Sequence, residues 1–179
     1  MSERAVADTA TTEATVTPIE PERHGGALVS RRFEQECLHP SRADYLKVVA
    51  ALKAEGYIQA SDLCAVDYLT FEAGRDLPTG IEPERFEVVV NLLSHSLNQR
   101  IRIRVQVGAD DPTLASLYDL YPGVEAMERE AYDLMGIIFT GHPDLTRILM
   151  PDGWEGHPLR KDYATGRIPV QFKGAPQPR

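Results

Sequence analysis

Apolar positions along the middle of the chain follow two periods. Tyr45, Val48, Val49 and Leu52 fall at i, i+3, i+4 and i+7, the single stripe of an amphipathic helix. A helix is therefore predicted over 41–55, with Pro40 before it, Ser41 as cap, Asp44 completing a weak capping box, and Gly56 as the stop. Farther on, Ile101, Ile103, Val105 and Val107 alternate with Arg102, Arg104 and Gln106, the period of two expected of a half-buried strand. Residues 86–93 supply its partner strand. Residues 63–72 read as a further strand, carrying Cys64, followed by a loop with Gly74, Pro78, Gly80 and Pro83. Asp111-Pro112 opens a short helical stretch to Tyr118 that Pro122-Gly123 breaks, and 124–135 reads as a last helix stopped by Gly136. The order α, β, β, β, α predicts an α+β fold: a two-layer α/β sandwich with a small mixed sheet, followed by a long irregular C-terminal tail.

Three spans follow. Residues 1–25, rich in Ala, Thr, Glu and Pro, read as a disordered or extended leader, with order from about Leu28. Residues 26–136 form the α/β domain. Residues 137–179 form the tail, where glycines at 141, 153, 156, 166 and 174 and prolines at 143, 151, 158, 169, 176 and 178 leave no room for a long helix or central strand. The same tail carries Leu145, Ile148, Leu149, Met150, Trp154, Leu159, Tyr163, Ile168, Val170 and Phe172. A disordered segment is poor in such residues, because it has little apolar surface with which to offset ordering entropy. Burying a large apolar side chain is worth roughly 1.5–3 kcal/mol, so the expectation is that another protein covers them.

Charge sharpens this picture. The net charge of −8 is uneven: residues 1–135 hold 13 Lys+Arg against 23 Asp+Glu, whereas 136–179 hold 6 against 4. An acidic body argues against duplex nucleic acid, and a mildly basic tail suits an acidic protein groove. Cys37 and Cys64 are too few to ligate an iron–sulfur cluster, which takes four thiolates, and they read as ordinary thiols. There is no run of 18 apolar residues and no apolar signal-peptide core, so cytosolic residence is the default expectation.

On the last helix Val124, Met127, Ala131, Leu134 and Met135 make the buried stripe, while Glu125, Arg129 and Asp133 stand four apart on another face as a ladder centred on Arg129. Glu128 and Glu130 are acids that this ladder does not need. The face is either solvated or anchors the basic tail or a partner's arginines. Gly141-His142-Pro143 and Gly156-His157-Pro158 repeat one tripeptide that presents an imidazole at a bend. A zinc or iron site from His142, His157 and Asp144 or Asp162 is conceivable. The favoured reading is structural, each histidine bonding backbone in a packed loop, since metal sites usually show tighter ligand spacing.

EREAYDLMGI from Glu128, then GHPDL, RIL and GHPLRKDY, closely resemble the 30 kDa (C) subunit of the proton-pumping NADH:quinone oxidoreductase, respiratory complex I. The resemblance covers about 40–165 and is most specific over 128–163; FEVVVNLLS (86–94) and CAVDY (64–68) sit where that family has strands. Ala126, Met127, Met135 and Thr146 depart from the usual family residues. The resemblance implies a non-catalytic subunit of the hydrophilic arm, beside the complex I subunits B and D and peripheral to the cytoplasmic side of the membrane. It implies no cofactor in this chain, with FMN, iron–sulfur clusters and quinone on neighbours, and a tail that wraps the D-type neighbour. Glu128, Arg129, Glu130 and Asp133 would pin the start of that tail. His142, Asp144, Arg147, Trp154, His157, Arg160, Lys161 and Asp162 would contact the partner. Similar subunits of energy-converting hydrogenases and F420-linked dehydrogenases are the alternative, and a stand-alone metal-dependent hydrolase using Glu130, His142 and His157 is the reading from another class.

Overall fold

The structure, a computed structural model, describes residues 22–33, 35–71 and 74–164. Six strands make one mixed sheet: β1 (Arg23–His24), β2 (Ala27–Arg32), β3 (Gln35–His39), β4 (Gln59–Asp67), β5 (Phe86–Ser94) and β6 (Gln99–Val107). Their spatial order is β1-β2-β3-β6-β5-β4, antiparallel throughout except for the parallel pair β3 and β6. The predicted β5–β6 register is set by its apolar face, with Phe86 opposite Val107, Val88 opposite Val105, Val90 opposite Ile103 and Leu92 opposite Ile101. All eight side chains are buried. They share a core with Tyr45, Val48, Val49 and Leu52 of α1 (Tyr45–Ala54). The regular helix begins at Tyr45, and Ser41 Oγ closes the turn leading into it, accepting Asp44 N at 3.1 Å and donating to Asp44 Oδ2 at 2.7 Å.

Several elements differ from the sequence expectation. β1 lies inside the span read as leader, and residues 1–21 of that span are outside the described residues. β2 and β3 were not expected: each is short, β3 is placed by parallel pairing with β6, and β2 is placed by pairing with β3, which local pattern does not reveal. β4 begins at Gln59 and ends at Asp67 rather than spanning 63–72. A register shift between Ala60 and Asp62 masks its alternation, and Asp67 Oδ1 accepts Leu69 N at 3.0 Å to start a turn. Residues 113–115 are not helical. They form β7 (Thr113–Ala115), parallel to β8 (Ile138–Thr140), because their backbone bonds run to 138–140, as in Ser116 N to Thr140 O at 2.9 Å. Pro122-Gly123 does not end a helix but begins a 3₁₀ turn, Pro122–Val124, that feeds α2 (Glu125–Met135). β8 also shows that the irregular tail does not start at 137, since Ile137 and Phe139 are buried in the core.

Candidate docking site

Downstream of β8, residues 141–164 contain no helix or strand, yet they are strapped onto the body at three places. The first is Asp133, whose side chain is fully buried. Its Oδ2 accepts the backbone N–H groups of Ile148, Leu149 and Met150 at 3.0, 2.7 and 2.8 Å. Its Oδ1 accepts Arg147 Nη1 at 2.7 Å. Burial opposes the charge, but the amides and the guanidinium prevail and hold this carboxyl below the ordinary carboxylate range. Arg147 also donates Nη2 to Gly156 O at 3.1 Å. Arg129, one turn back, donates to Thr146 O at 3.0 Å, Thr146 Oγ1 at 2.8 Å and Arg147 O at 3.2 Å. Only the Glu125–Arg129 half of the expected ladder exists, at 3.8 Å. Asp133 is turned inward to the strap.

The second place is the C-terminal end of α2, where carbonyls lack intrahelical partners. His157 Nδ1 donates to Asp133 O at 2.9 Å, Leu159 N to Leu134 O at 2.9 Å, and Arg160 Nε to Met135 O at 2.6 Å. A cation here also complements the helix dipole. Gly136, at φ 73°, makes this approach possible: a Cβ on it would lie 2.5 Å from Arg160 Nη2 and 2.6 Å from His157 Nε2. Gly136→Ala therefore combines left-handed strain with a clash, and a loss of about 2 kcal/mol is expected. Thermal melting of the isolated chain checks this; an unchanged midpoint would mean that the strap does not pack here.

The third place is Asp67, also buried, which accepts Lys161 N at 2.9 Å while pairing with Arg85 at 2.8 Å. Arg85 reaches Asp162 as well, at 2.9 Å. Burial opposes ionisation of Asp67, but the Arg85 bond and the backbone donors leave its pKa lowered. Neither Asp67 nor Arg85 was legible as a site residue, because each meets the strap only through the fold.

Glu128 serves the interior. Its Oε1 accepts Leu117 N at 2.7 Å and its Oε2 accepts Ser116 Oγ at 2.6 Å, and burial pushes its carboxyl up. His142 has a fully buried side chain 4.0 Å from Glu128. Its Nε2 donates to Glu125 O at 3.2 Å and its Nδ1 accepts Asp144 N at 3.1 Å, the tautomer following from those partners. Each histidine thus bonds backbone. His142 sits at the first residue of α2 and His157 against its ninth, roughly 12 Å apart along the axis, too far to share one ion. Among the described residues no three His, Cys, Asp or Glu side chains form a metal-sized group. Glu130 is exposed and remote from a common site with them.

With Arg147, His157 and Arg160 bonded inward, the strap carries apolar side chains outward. Ile148, Leu149 and Leu159 are 41%, 56% and 47% exposed, and Ile138 of β8 is 43% exposed. Leu145 instead packs against the core, and Trp154 is half-buried with its Nε1 enclosed and without a hydrogen bond among the described residues. Glu128, Asp133 and His142 are interior anchors rather than surface contacts; Glu130, Asp144, Lys161 and Asp162 are exposed. Ile168, Val170 and Phe172 lie outside the described residues.

A family model described as the respiratory-chain NADH dehydrogenase, 30 Kd subunit, matches residues 38–168. The C subunit of the NADH-quinone oxidoreductase of Saccharopolyspora erythraea is 52% identical over 96 residues, covering 54% of this chain and 39% of that relative. The chain spans about half the length of the curated relatives it matches. The trypsin-resistant fragment (1-134) of Nqo5 superposes with TM-score 0.59 at 34% identity, covering 67% of this chain and 90% of that one. A chain of the membrane-bound sulfane sulfur reductase, an archaeal respiratory membrane complex, gives TM-score 0.64 at 19% identity over 86% of this chain and 90% of that one, a likeness of fold alone. The matched span takes in β4, β5 and β6, both α-helices and all three strap anchors, and the chain belongs to the family of the respiratory-chain NADH dehydrogenase 30 kDa subunit.

Proposed function

We propose that the chain is a non-catalytic structural and assembly subunit in the peripheral arm of a proton-pumping NADH:quinone oxidoreductase. It docks beside the complex I subunits D and B at the cytoplasmic side of the membrane, with FMN, iron–sulfur clusters and quinone held by its neighbours. One observation carries this reading: Arg147, His157, Arg160 and the Lys161 backbone amide are bonded to the chain's own body while Ile148, Leu149 and Leu159 face outward. Groups fixed in this way position a surface. The relatives' description as C subunits of NADH-quinone oxidoreductases supports the machine. No helix among the described residues is long and apolar enough to cross a membrane, so attachment in this reading runs through partners. Exposed Glu130, Asp144, Lys161 and Asp162 would form the polar rim of the contact.

The fold shared with the sulfane sulfur reductase chain favours a second reading, the equivalent subunit of an energy-converting hydrogenase or F420-linked dehydrogenase. The subunits encoded beside this chain separate the two: NADH-oxidising flavoprotein subunits support the first, nickel-binding Cys pairs the second.

Arg129→Ala and His157→Ala loosen the strap without touching a reacting group, so fewer assembled particles are expected, each with normal quinone-reductase turnover. Native gels with activity per particle check this. Normal assembly with slowed turnover would overturn the structural assignment.

A further inference from the structure

The face of the sheet opposite the two helices holds a second site. Because β5 and β6 alternate, Glu87, Val89, Arg102 and Arg104 point away from the core and line a cavity of about 400 Å³. The turn after β4 supplies its wall through Tyr68, Phe71 and Arg75. Arg104 is fully paired, Nε and Nη2 meeting Glu87 at 2.8 and 3.0 Å. Arg75 and Arg102 are not. Arg75 donates to Gln106 Oε1 at 3.1 Å and to Glu84 O, and lies 4.1 Å over the Tyr68 ring. Arg102 donates to Asn91 Oδ1 at 3.1 Å. Among the described residues neither guanidinium forms an ion pair with a carboxylate, in a chain with 27 acidic residues against 19 basic ones, although Asn91 links Arg102 to Asp62. Of the acids in the lining, Glu87 is engaged by Arg104 and Gln106, and Asp76 gives Arg104 only its backbone carbonyl. Next to this cavity lies a second, of 460 Å³, sharing Phe71 and Arg75 and walled by Leu77, Pro78 and Ile81. Phe71 stands between them, 53% exposed.

We propose that this paired cavity is a second docking groove that receives an acidic segment of a partner protein, separate carboxylates meeting Arg75 and Arg102, which are held four residues apart along the sheet, and a neighbouring apolar side chain lying along Phe71, Leu77 and Ile81. Planar guanidiniums bind a carboxylate through two parallel hydrogen bonds, and cations without an ion pair among the described residues, beside an apolar wall, match an occupant with both features. The inference rests on the chain being a subunit of a larger assembly. Its location differs from the strap, which lies on the helix side of the sheet, so the two contacts fail separately.

The test places p-benzoylphenylalanine at Phe71 in the full chain, purifies the assembled complex, irradiates it and maps the cross-link by mass spectrometry. The expected product joins position 71 to another subunit within a few residues of an Asp or Glu. Arg102→Gln, which removes one exposed bond, and Arg75→Gln with Arg102→Gln together should each lower the yield, the pair about tenfold. Arg102→Glu should recover it when the captured acid is changed to Arg. Equal yield in all variants, or a cross-link only within this chain, would overturn the groove. So would a rise in melting temperature with millimolar succinate or phosphate in the isolated chain without any inter-subunit cross-link, which would make it a small-anion site. If the unsubstituted chain enters no complex, the proposed function fails. If the complex forms and position 71 captures no neighbour, the groove alone fails.

Discussion

Replacing Asp133 with alanine is expected to free the strap and cost the isolated chain about 3 kcal/mol, since three backbone amides and the Arg147 guanidinium lose their only carboxylate. For a chain of this size that is a fall of roughly 6–12 °C in melting temperature. Limited trypsin digestion should give the clearer signal. Arg147 and Arg160 are tied to backbone and carboxylate oxygens in the intact chain, and in Asp133→Ala cleavage should begin after Arg147 while the rest of the body persists. Asp133→Asn, which keeps one oxygen but turns an amide donor toward donors, should fall between the two. The pH dependence has a definite sign. Asp133 and Asp67 both have lowered pKa values in the folded chain, so their contribution is present above the unfolded value of about 3.9 and is lost as pH falls through the lower folded one. Protection of Arg147 should thus survive at pH 5 and fail only below about pH 4. Glu128 acts in the opposite sense: its raised pKa makes its contribution full at low pH and lost as pH rises through the folded value. Equal protection of Arg147 with and without the Asp133 carboxylate would show that something else holds the strap.

Ile148→Ser with Leu149→Ser should do the reverse, leaving the isolated chain intact and weakening its assembly. Both side chains are about half exposed, and the clamp uses the backbone N–H groups of 148 and 149, which serine retains. The melting temperature should move by no more than roughly 2 °C. In the complex, losing two apolar anchors should cost about 3 kcal/mol, roughly a hundredfold in affinity. Serine avoids placing a new charge beside Asp133. Recovery of assembled particles on native gels, compared with the melting curve of the free chain, separates the two effects. Full assembly of the double variant would remove these residues from the interface.

The contrast between these substitutions marks what sequence could reveal. The stripe from Tyr45 to Leu52, the β5–β6 alternation and α2 with its stop at Gly136 were legible because each is a local period ending in a local signal. β3 was not, since its place depends on parallel pairing of 36–38 with 101–103. The spacing of Glu125, Arg129 and Asp133 leaves open a solvated ladder or an anchor for the basic tail, because helical periodicity does not see the chain 15 residues downstream, where Asp133 finds Ile148. Glycine and proline correctly signalled a tail without helix or strand over 141–164, but irregular did not mean extended. Turns such as Trp154 N to Pro151 O at 3.1 Å and Tyr163 N to Arg160 O at 3.1 Å fold it back toward α2. The motif GHPLRKDY pointed to the family, and its His157, Arg160 and Lys161 proved to be anchors to the chain's own body.

A structure of the assembled complex with side chains resolved around α2 tests the central claim most directly. The prediction is that Ile148, Leu149 and Leu159 lose their solvent exposure against another polypeptide while Asp133 still accepts the amides of residues 148–150. Those three side chains standing in open solvent, or a strap peeled away from Asp133, would contradict it.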